Sequence, residues 1–427
     1  MITLTPEQQA VADKLVEFCT SESDKTEYMA LCAPAGCGKT TTIGAVIEGI
    51  RAVKQMLDTL LPEEEKPKNS ILSNKIILSA TTNKAAAELS SKAPIHASTI
   101  HSVLGLTLKP DFNTGVDRII DNSRNVLKNC VVFIDESSMI DGTLLKFIET
   151  KMNRSKVVFI MDEKQLLAVG AKGVPALQKA GANILTLSNI MRQNSDSHII
   201  KVGSMLRKAI DGHPVDAHLP DGKDIIACTD EEFKEQVDRV FTNPDYKLTD
   251  GRILCWTNSM VHKYNRYVRK LRYGSDEPRK FETLITRKPI LSNSNKYVHF
   301  VEEVVKVLDI EETEFNQVEA YDITLMNSHA KVLQPKNPDV VKALLKDAAA
   351  RCKASGNWQQ YYMIRDTFAD LRPVYAGTVH TSQGSTYDEV FIDIGDLSKC
   401  KKREELLRLL YVAFTRARTK VWLRGYE

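Results

Sequence analysis

Two short clusters carry the first chemistry that this sequence can do. Lys39 and Thr40 close the stretch Ala33-Pro34-Ala35-Gly36-Cys37-Gly38-Lys39-Thr40, and Asp135 and Glu136 close the apolar run Val131-Val132-Phe133-Ile134. A loop of small residues lets backbone N–H groups converge on phosphate oxygens, a lysine reaches the outer phosphates, and a threonine hydroxyl can ligate Mg2+. Thr41 and the residues to Ile47 read as the start of a helix, whose N-terminal dipole end adds positive potential. The familiar form of this loop begins with Gly; here the position is Ala33, small enough to keep the turn. In the second cluster, Asp135 is suited to hold Mg2+ and Glu136 to orient or deprotonate an attacking water. A chance glycine-rich turn and a strand simply capped by charge are the plain alternatives, and the pairing of the two clusters argues against both.

Other residues gain meaning from these. Gln8 follows Thr5, a helix N-cap, and Pro6 at the first helical position, and its amide can donate and accept at once, as an adenine edge requires. Val157 to Met161 repeats the buried-strand pattern and leads to Asp162 and Gln165, the glutamine suited to touch a terminal phosphate or attacking water. Arg192 follows the short strand Leu185-Thr186-Leu187, and Arg416 ends a helix. Guanidinium groups stay ionised and fork across oxygens, which suits a developing phosphate charge.

Composition bounds the rest. At 427 residues the chain is expected to hold two or more domains, because single cores rarely grow past about 250–300 residues. A net charge of +3 with 26% charged residues neither demands nor excludes nucleic acid, so a basic track would be local. No run is apolar enough to span a bilayer and the start, Met1 to Glu7, has no signal pattern, so a cytoplasmic protein (host cytoplasm if viral) is expected. Eight cysteines without any C-x-x-C pair argue against zinc and disulfides, and Cys37 reads as a small spacer.

The elements that must position these residues are legible in outline. Ile76 to Ala80 reads as a buried parallel strand feeding a helix from about Thr81 to Leu89. Leu106 to Ile120 reads as a hairpin with Phe112 near its tip, either a base-stacking wedge or a packing anchor. The helix Lys263–Tyr273 interleaves cations with tyrosines and fits a nucleic-acid face or a solvated one about equally. From about 282 to 372 the texture turns β-rich, and the closing segment brings His380, Thr381, Gln383 and Gly384 ahead of a final strand–helix–strand. His101 alone reads as a structural histidine.

In this order, the segments resemble the motif series of superfamily 1 helicases, in the RecD-like branch, over nearly the whole chain. Asp135-Glu136-Ser137-Ser138-Met139 is similar to the family's acidic segment with Ser137 for Val, and Asp162 and Gln165 match its GD-x-x-Q element with Met161 for Gly. The resemblance implies an α/β fold of two RecA-like (P-loop NTPase) domains with parallel sheets. These would be 1–194, with a pin hairpin at about 104–122, and 195–427, with an inserted SH3-like tower module at about 282–372. It implies ATP and Mg2+ as cofactors, with ATP bound by Gln8, by Pro34 to Thr41 (Pro34, Ala35, Gly36, Cys37, Gly38, Lys39, Thr40, Thr41) and by Gln383 and Gly384. Thr40 and Asp135 would hold the metal, and Lys39, Glu136, Gln165, Arg192 and Arg416 would be catalytic. Thr82, Thr99, His101, Asn258, His380 and Thr381 fall on motifs that line the family's single-strand track, with Phe112 on the pin.

The function implied is an ATP-dependent DNA helicase moving 5′ to 3′ on single-stranded DNA and acting at a single-strand/duplex junction in phage-type replication or recombination. The implied protein is monomeric, with a single-strand DNA-binding protein or a replisome component as protein partner. The alternatives are a translocase ATPase, stimulated by single-stranded DNA or RNA, that does not unwind DNA, and a nucleotide-gated binding module. Glu136 and Arg416 together argue against the last.

Overall fold

The computed structural model describes residues 4–60, 75–122, 126–167, 174–188, 197–214, 223–292 and 297–426. These fall into two compact units, one of residues 1–105, 123–233 and 382–427, the other of 106–122 and 234–381.

The first unit is built on a six-stranded parallel sheet. Its order is Asn183–Thr186, Glu27–Cys32, Lys156–Met161, Val131–Asp135, Ile76–Ala80 and Ala97–Thr99. The central strands are apolar through their middle because both faces are covered; Val132, Phe133, Val157 and Phe159 have no exposed surface. Truncating a side chain such as Phe133 to Ala would cost about 3–5 kcal/mol. Ligands of such sheets bind beyond the C-terminal ends of the strands. Four adjacent strands here deliver Ala33, Asp162, Asp135 and Thr81 at those ends. Helix boundaries follow local chemistry: Thr5 and Gln8 form a reciprocal capping box on Pro6–Thr20, and Thr82 and Asp141 cap Asn83–Lys92 and Gly142–Lys151. The same unit holds a second parallel set, in which Ala417–Arg424 lies between Ile225–Cys228 and Tyr387–Asp393.

In the second unit, Gly251–Cys255 pairs in parallel with Ala376–Thr378. A five-stranded antiparallel sheet runs Lys331–Pro335, Val318–Leu325, Val304–Phe315, Thr283–Thr286 and Leu371–Pro373. Alternation along Val318–Leu325 places Tyr321, Ile323 and Leu325 in one buried cluster, while Val318 and Ala320 are buried on the opposite face. The hairpin is Leu106–Pro110 against Asp117–Asp121. The parallel sheets and the helices that cover them are the RecA-like α/β architecture expected from the sequence. No helix among the described residues is long and apolar enough to cross a membrane.

Candidate nucleotide site

The loop from Ala33 to Thr40 turns on Gly36 and Gly38, both in the left-handed region at φ 88° and 77°. Gly38 has a second reason to be glycine: a Cβ there would sit 2.4 Å from Gln8 Nε2. That amide is engaged at both ends, its Nε2 donating to the Cys37 carbonyl at 2.9 Å and its Oε1 accepting the Thr5 N–H at 3.0 Å. Gln8 therefore fastens the first helix to the loop. Lys39, at the start of the helix Lys39–Leu60, folds its Nζ onto the loop carbonyls of Ala33 and Pro34 at 3.1 and 3.2 Å. Burial pushes the Cys37 thiol up to about 11, which keeps it an inert spacer.

Asp162, nearly inaccessible, collects five donors. Its carboxylate accepts the loop N–H of Ala35 at 3.1 Å, the Lys164 N–H at 3.2 Å, Gln165 Nε2 at 3.3 Å, Arg207 Nη1 at 2.7 Å and the Tyr411 hydroxyl at 2.6 Å. Burial opposes the Arg207 charge, yet Asp162 and Tyr411 outweigh it and hold the guanidinium firmly protonated. Arg408 clamps the same turn from the helix Arg403–Phe414, donating Nη1 to the carbonyls of Glu163 at 2.7 Å and Gln165 at 2.9 Å. Gln383 adds a bond from Nε2 to the Leu166 carbonyl at 3.3 Å. Gln165 Oε1, by contrast, is buried without a hydrogen-bond partner.

Glu136 stands at the end of its strand with φ 52°, its N–H bonded to Asp135 Oδ1 at 2.8 Å. Burial pushes its carboxyl up to about 7, with the Asp135 charge adding to the effect and Lys39 and Arg416 opposing it. Burial raises Asp135 as well, against the pull of Lys39. Gly384 lies beside this pair; a Cβ there would be 4.0 Å from Glu136 Oε1. Arg416 is buried and donates to the Val412 and Ser385 carbonyls and the Thr415 hydroxyl at 3.1–3.2 Å. Thr40 and Thr41 stand in the first turn of the helix that follows the loop. Arg192 lies outside the described residues.

The positions assigned by resemblance to nucleic acid fall in both units. In the first, Thr82 and Thr99 cap their helices by accepting the N–H groups of Ala85 and Ser102 at 3.2 Å each. His101 is half-buried, and desolvation holds its imidazole below the usual value against the Asp141 charge. In the second, Asn258 accepts from Arg372 Nη1 at 3.3 Å, Thr381 donates its hydroxyl to the Thr378 carbonyl at 2.9 Å, and His380 is exposed. Phe112 meets Tyr362 edge-to-face at 5.4 Å, so it has the packing contact that one of its two readings required, while half of its surface stays exposed.

The cations of the Asn258–Tyr273 helix are largely committed to the fold. Arg266 pairs with Asp276 at 2.6 Å, Arg269 with buried Glu282 at 2.8 Å, and Arg272 lies over the Tyr246 ring at 5.3 Å. Arg269 and Arg272 are thereby tied to the fold, whereas the Arg266 side chain stays largely exposed. Arg207, Arg408 and Tyr411 are the site residues that sequence reasoning missed. No local signal marks them, because their partners lie far away in the chain.

Comparison with known proteins agrees with this geometry. Residues 3–229 match the family described as an AAA domain, and residues 373–424 match the UvrD-like helicase C-terminal domain. The chain is 25% identical to the RecBCD enzyme subunit RecD of Mycolicibacterium smegmatis, over 92% of this chain and 67% of that protein. It is 24% identical to the ATP-dependent DNA helicase dda of Enterobacteria phage T4, over 93% and 94% of the two chains. Its fold is similar to a Pif1 helicase from Bacteroides solved with ADP-AlF3 and single-stranded DNA, with a TM-score of 0.51 and 17% identity over 100% of this chain and 93% of the other. The chain belongs to the AAA domain family, on the RecD-like branch of the superfamily 1 helicases.

Proposed function

We propose that this chain is an ATP-dependent DNA helicase that moves 5′ to 3′ along single-stranded DNA and opens duplex at a junction. The observation that carries the reading is the Asp162 carboxylate. It ties the loop amide of Ala35 and the side chain of Gln165 to Tyr411 on the helix before Arg416. A rearrangement at the phosphate loop is thereby delivered to the C-terminal segment, which is what a motor needs.

The residues fit a triphosphate with Mg2+. Gln165 Oε1 is a buried acceptor without a partner, which an attacking water would satisfy. Thr40 and Asp135 offer the oxygen ligands that a hard cation takes. The metal would neutralise phosphate charge when bound. Lys39 exchanges its loop carbonyls for the outer phosphates, Glu136 accepts the water's proton, and Arg416 leaves its carbonyl partners for the developing charge. Arg192 serves as the second arginine. Gln383 and Gly384 sense the state of the pocket. Residues 1–194 and 195–427 are the two motor domains in this reading, the hairpin separates strands, and the antiparallel sheet is its SH3-like support.

ATP turnover measured with single-stranded DNA, with RNA and with neither tests the assignment. Strong stimulation by DNA, lost in Glu136→Gln, is expected. Stimulation by RNA alone, or full turnover in Glu136→Gln, would overturn it.

A further inference from the structure

Arg252 opens the strand Gly251–Cys255 and points its guanidinium inward. Only 9% of the residue is exposed, Nη1 donates to the Val374 carbonyl, and Nε is buried with no acceptor. Among the described residues no carboxylate pairs with it. A nearly buried cation with one neutral acceptor is destabilising unless something negative completes it.

The surroundings make room for this group. Gly377, on the paired strand Ala376–Thr378, is what lets the guanidinium lie where it does: a Cβ there would stand 2.8 Å from Nη2, 3.2 Å from Nε and 3.0 Å from Thr381 Oγ1. Arg287 and Arg372 line the same pocket, together with Asn258 and Thr381. Glu302 pairs with Arg287, and Asp370 holds Arg372 through two bonds of 2.8 Å. Three guanidiniums therefore face two carboxylates, and the surplus charge belongs to Arg252. Burial, followed by the charges of Arg372 and Arg252, lowers the pKa of Arg287 against the pull of Asp370, as expected where like charges crowd. Asn258 Oδ1, accepting from Arg372, joins an amide to the same rim.

A pocket with one surplus positive charge, an unused N–H, and an amide and a hydroxyl at its rim matches a single phosphate group. We infer that Arg252, Arg287 and Arg372 form a pocket that takes one backbone phosphate of single-stranded DNA beside Asn258 and Thr381. This rests on the helicase reading above and names the group that the second unit grips. Because the contact is to phosphate, it adds affinity without sequence preference.

The test is the binding of a labelled oligothymidylate, followed by anisotropy across a salt series, for the whole chain and for two variants. Arg252→Met is expected to bind about ten-fold more weakly and to lower the slope of log affinity against log salt by about 0.7, the share of one single-strand phosphate contact. It is expected to melt at or above the wild-type temperature, because it removes an unpaired buried charge. Gly377→Ala keeps every arginine but displaces the guanidinium, and should weaken binding in the same way. Unchanged affinity and slope in both variants would overturn the inference, as would an Arg252→Met protein that melts lower yet binds normally. Inorganic phosphate that stabilises the wild type but does not compete with the oligonucleotide would make the pocket a free-anion site and also overturn it. A wild-type chain that does not bind the oligonucleotide at all would instead bring down the helicase reading itself.

Discussion

The Tyr411 hydroxyl donates to Asp162 Oδ2 at 2.6 Å, across 249 positions of sequence. Burial, with the Asp162 charge, pushes this hydroxyl well above the usual tyrosine range, so it remains a donor at every working pH. Tyr411→Phe removes one of the five donors to Asp162 and leaves the other four in place. A hydrogen bond to a charged group contributes about 1.5–3 kcal/mol. The expected outcome in steady-state ATPase measurements is a fall in kcat of about ten-fold, with a smaller change in KM for ATP. Wild-type turnover would show that the bond does not position the site.

Gly38 tests the fastening of the first helix to the phosphate loop. Gly38→Ala forces a Cβ into Gln8 Nε2 and keeps a left-handed backbone that costs a non-glycine residue about 1 kcal/mol. Binding of a fluorescent ATP analogue should weaken more than ten-fold, and the melting temperature should fall. Adding Gln8→Ala should restore part of the lost stability, because it removes the clashing amide.

Lys156 is fully buried, donating to Ser21 Oγ at 2.8 Å and pairing with Glu27. The hydrogen bond from Lys156 lowers the Glu27 pKa in the fold. A depressed folded pKa contributes stability that is present above the unfolded value, about 4.3, and is lost as pH falls through the folded one. Thermal melts should therefore lose stability as pH drops from about 5 toward 3, and Glu27→Gln should flatten that part of the profile. An identical acid profile in the variant would remove the pair from the explanation.

The hairpin is held within its own unit by three distinct contacts. The Trp358 N–H donates to the Phe112 carbonyl at 2.7 Å, the Phe112 ring meets Tyr362, and Arg365 Nη1 reaches both oxygens of Asp117 at 3.0 Å. A braced hairpin can resist a duplex where a loose one would bend. Tyr362→Ala and Phe112→Ala should both impair strand displacement several-fold more than translocation on single strands, measured side by side. Equal loss of the two activities would remove the wedge role.

What was legible in the sequence was local. The phosphate loop and the Asp135-Glu136 pair each fit in a few residues at the end of an apolar strand, and spacing alone exposes them. The Asp162 cluster was half visible: Asp162 and Gln165 are neighbours in the chain, whereas Arg207, Arg408 and Tyr411 arrive through tertiary packing. Gln8 shows a different gap. Thr5 and Gln8 are a capping-box pair at the required spacing, so the sequence held a structural role for the glutamine beside the adenine reading. The basic helix shows the opposite gap, because Asp276 and Glu282, which pair with Arg266 and Arg269, lie beyond its end. The Arg252 pocket was hidden because Arg287, Arg372 and Gly377 come from separate strands and loops.

Strand displacement on two substrates, one with a 5′ overhang and one with a 3′ overhang, decides whether this chain is a directional helicase. With ATP and Mg2+ the 5′-tailed duplex should unwind, the 3′-tailed one very little, and neither with Lys39→Ala. Equal unwinding of both would contradict the polarity, and ATP turnover stimulated by DNA without any unwinding would contradict the helicase itself.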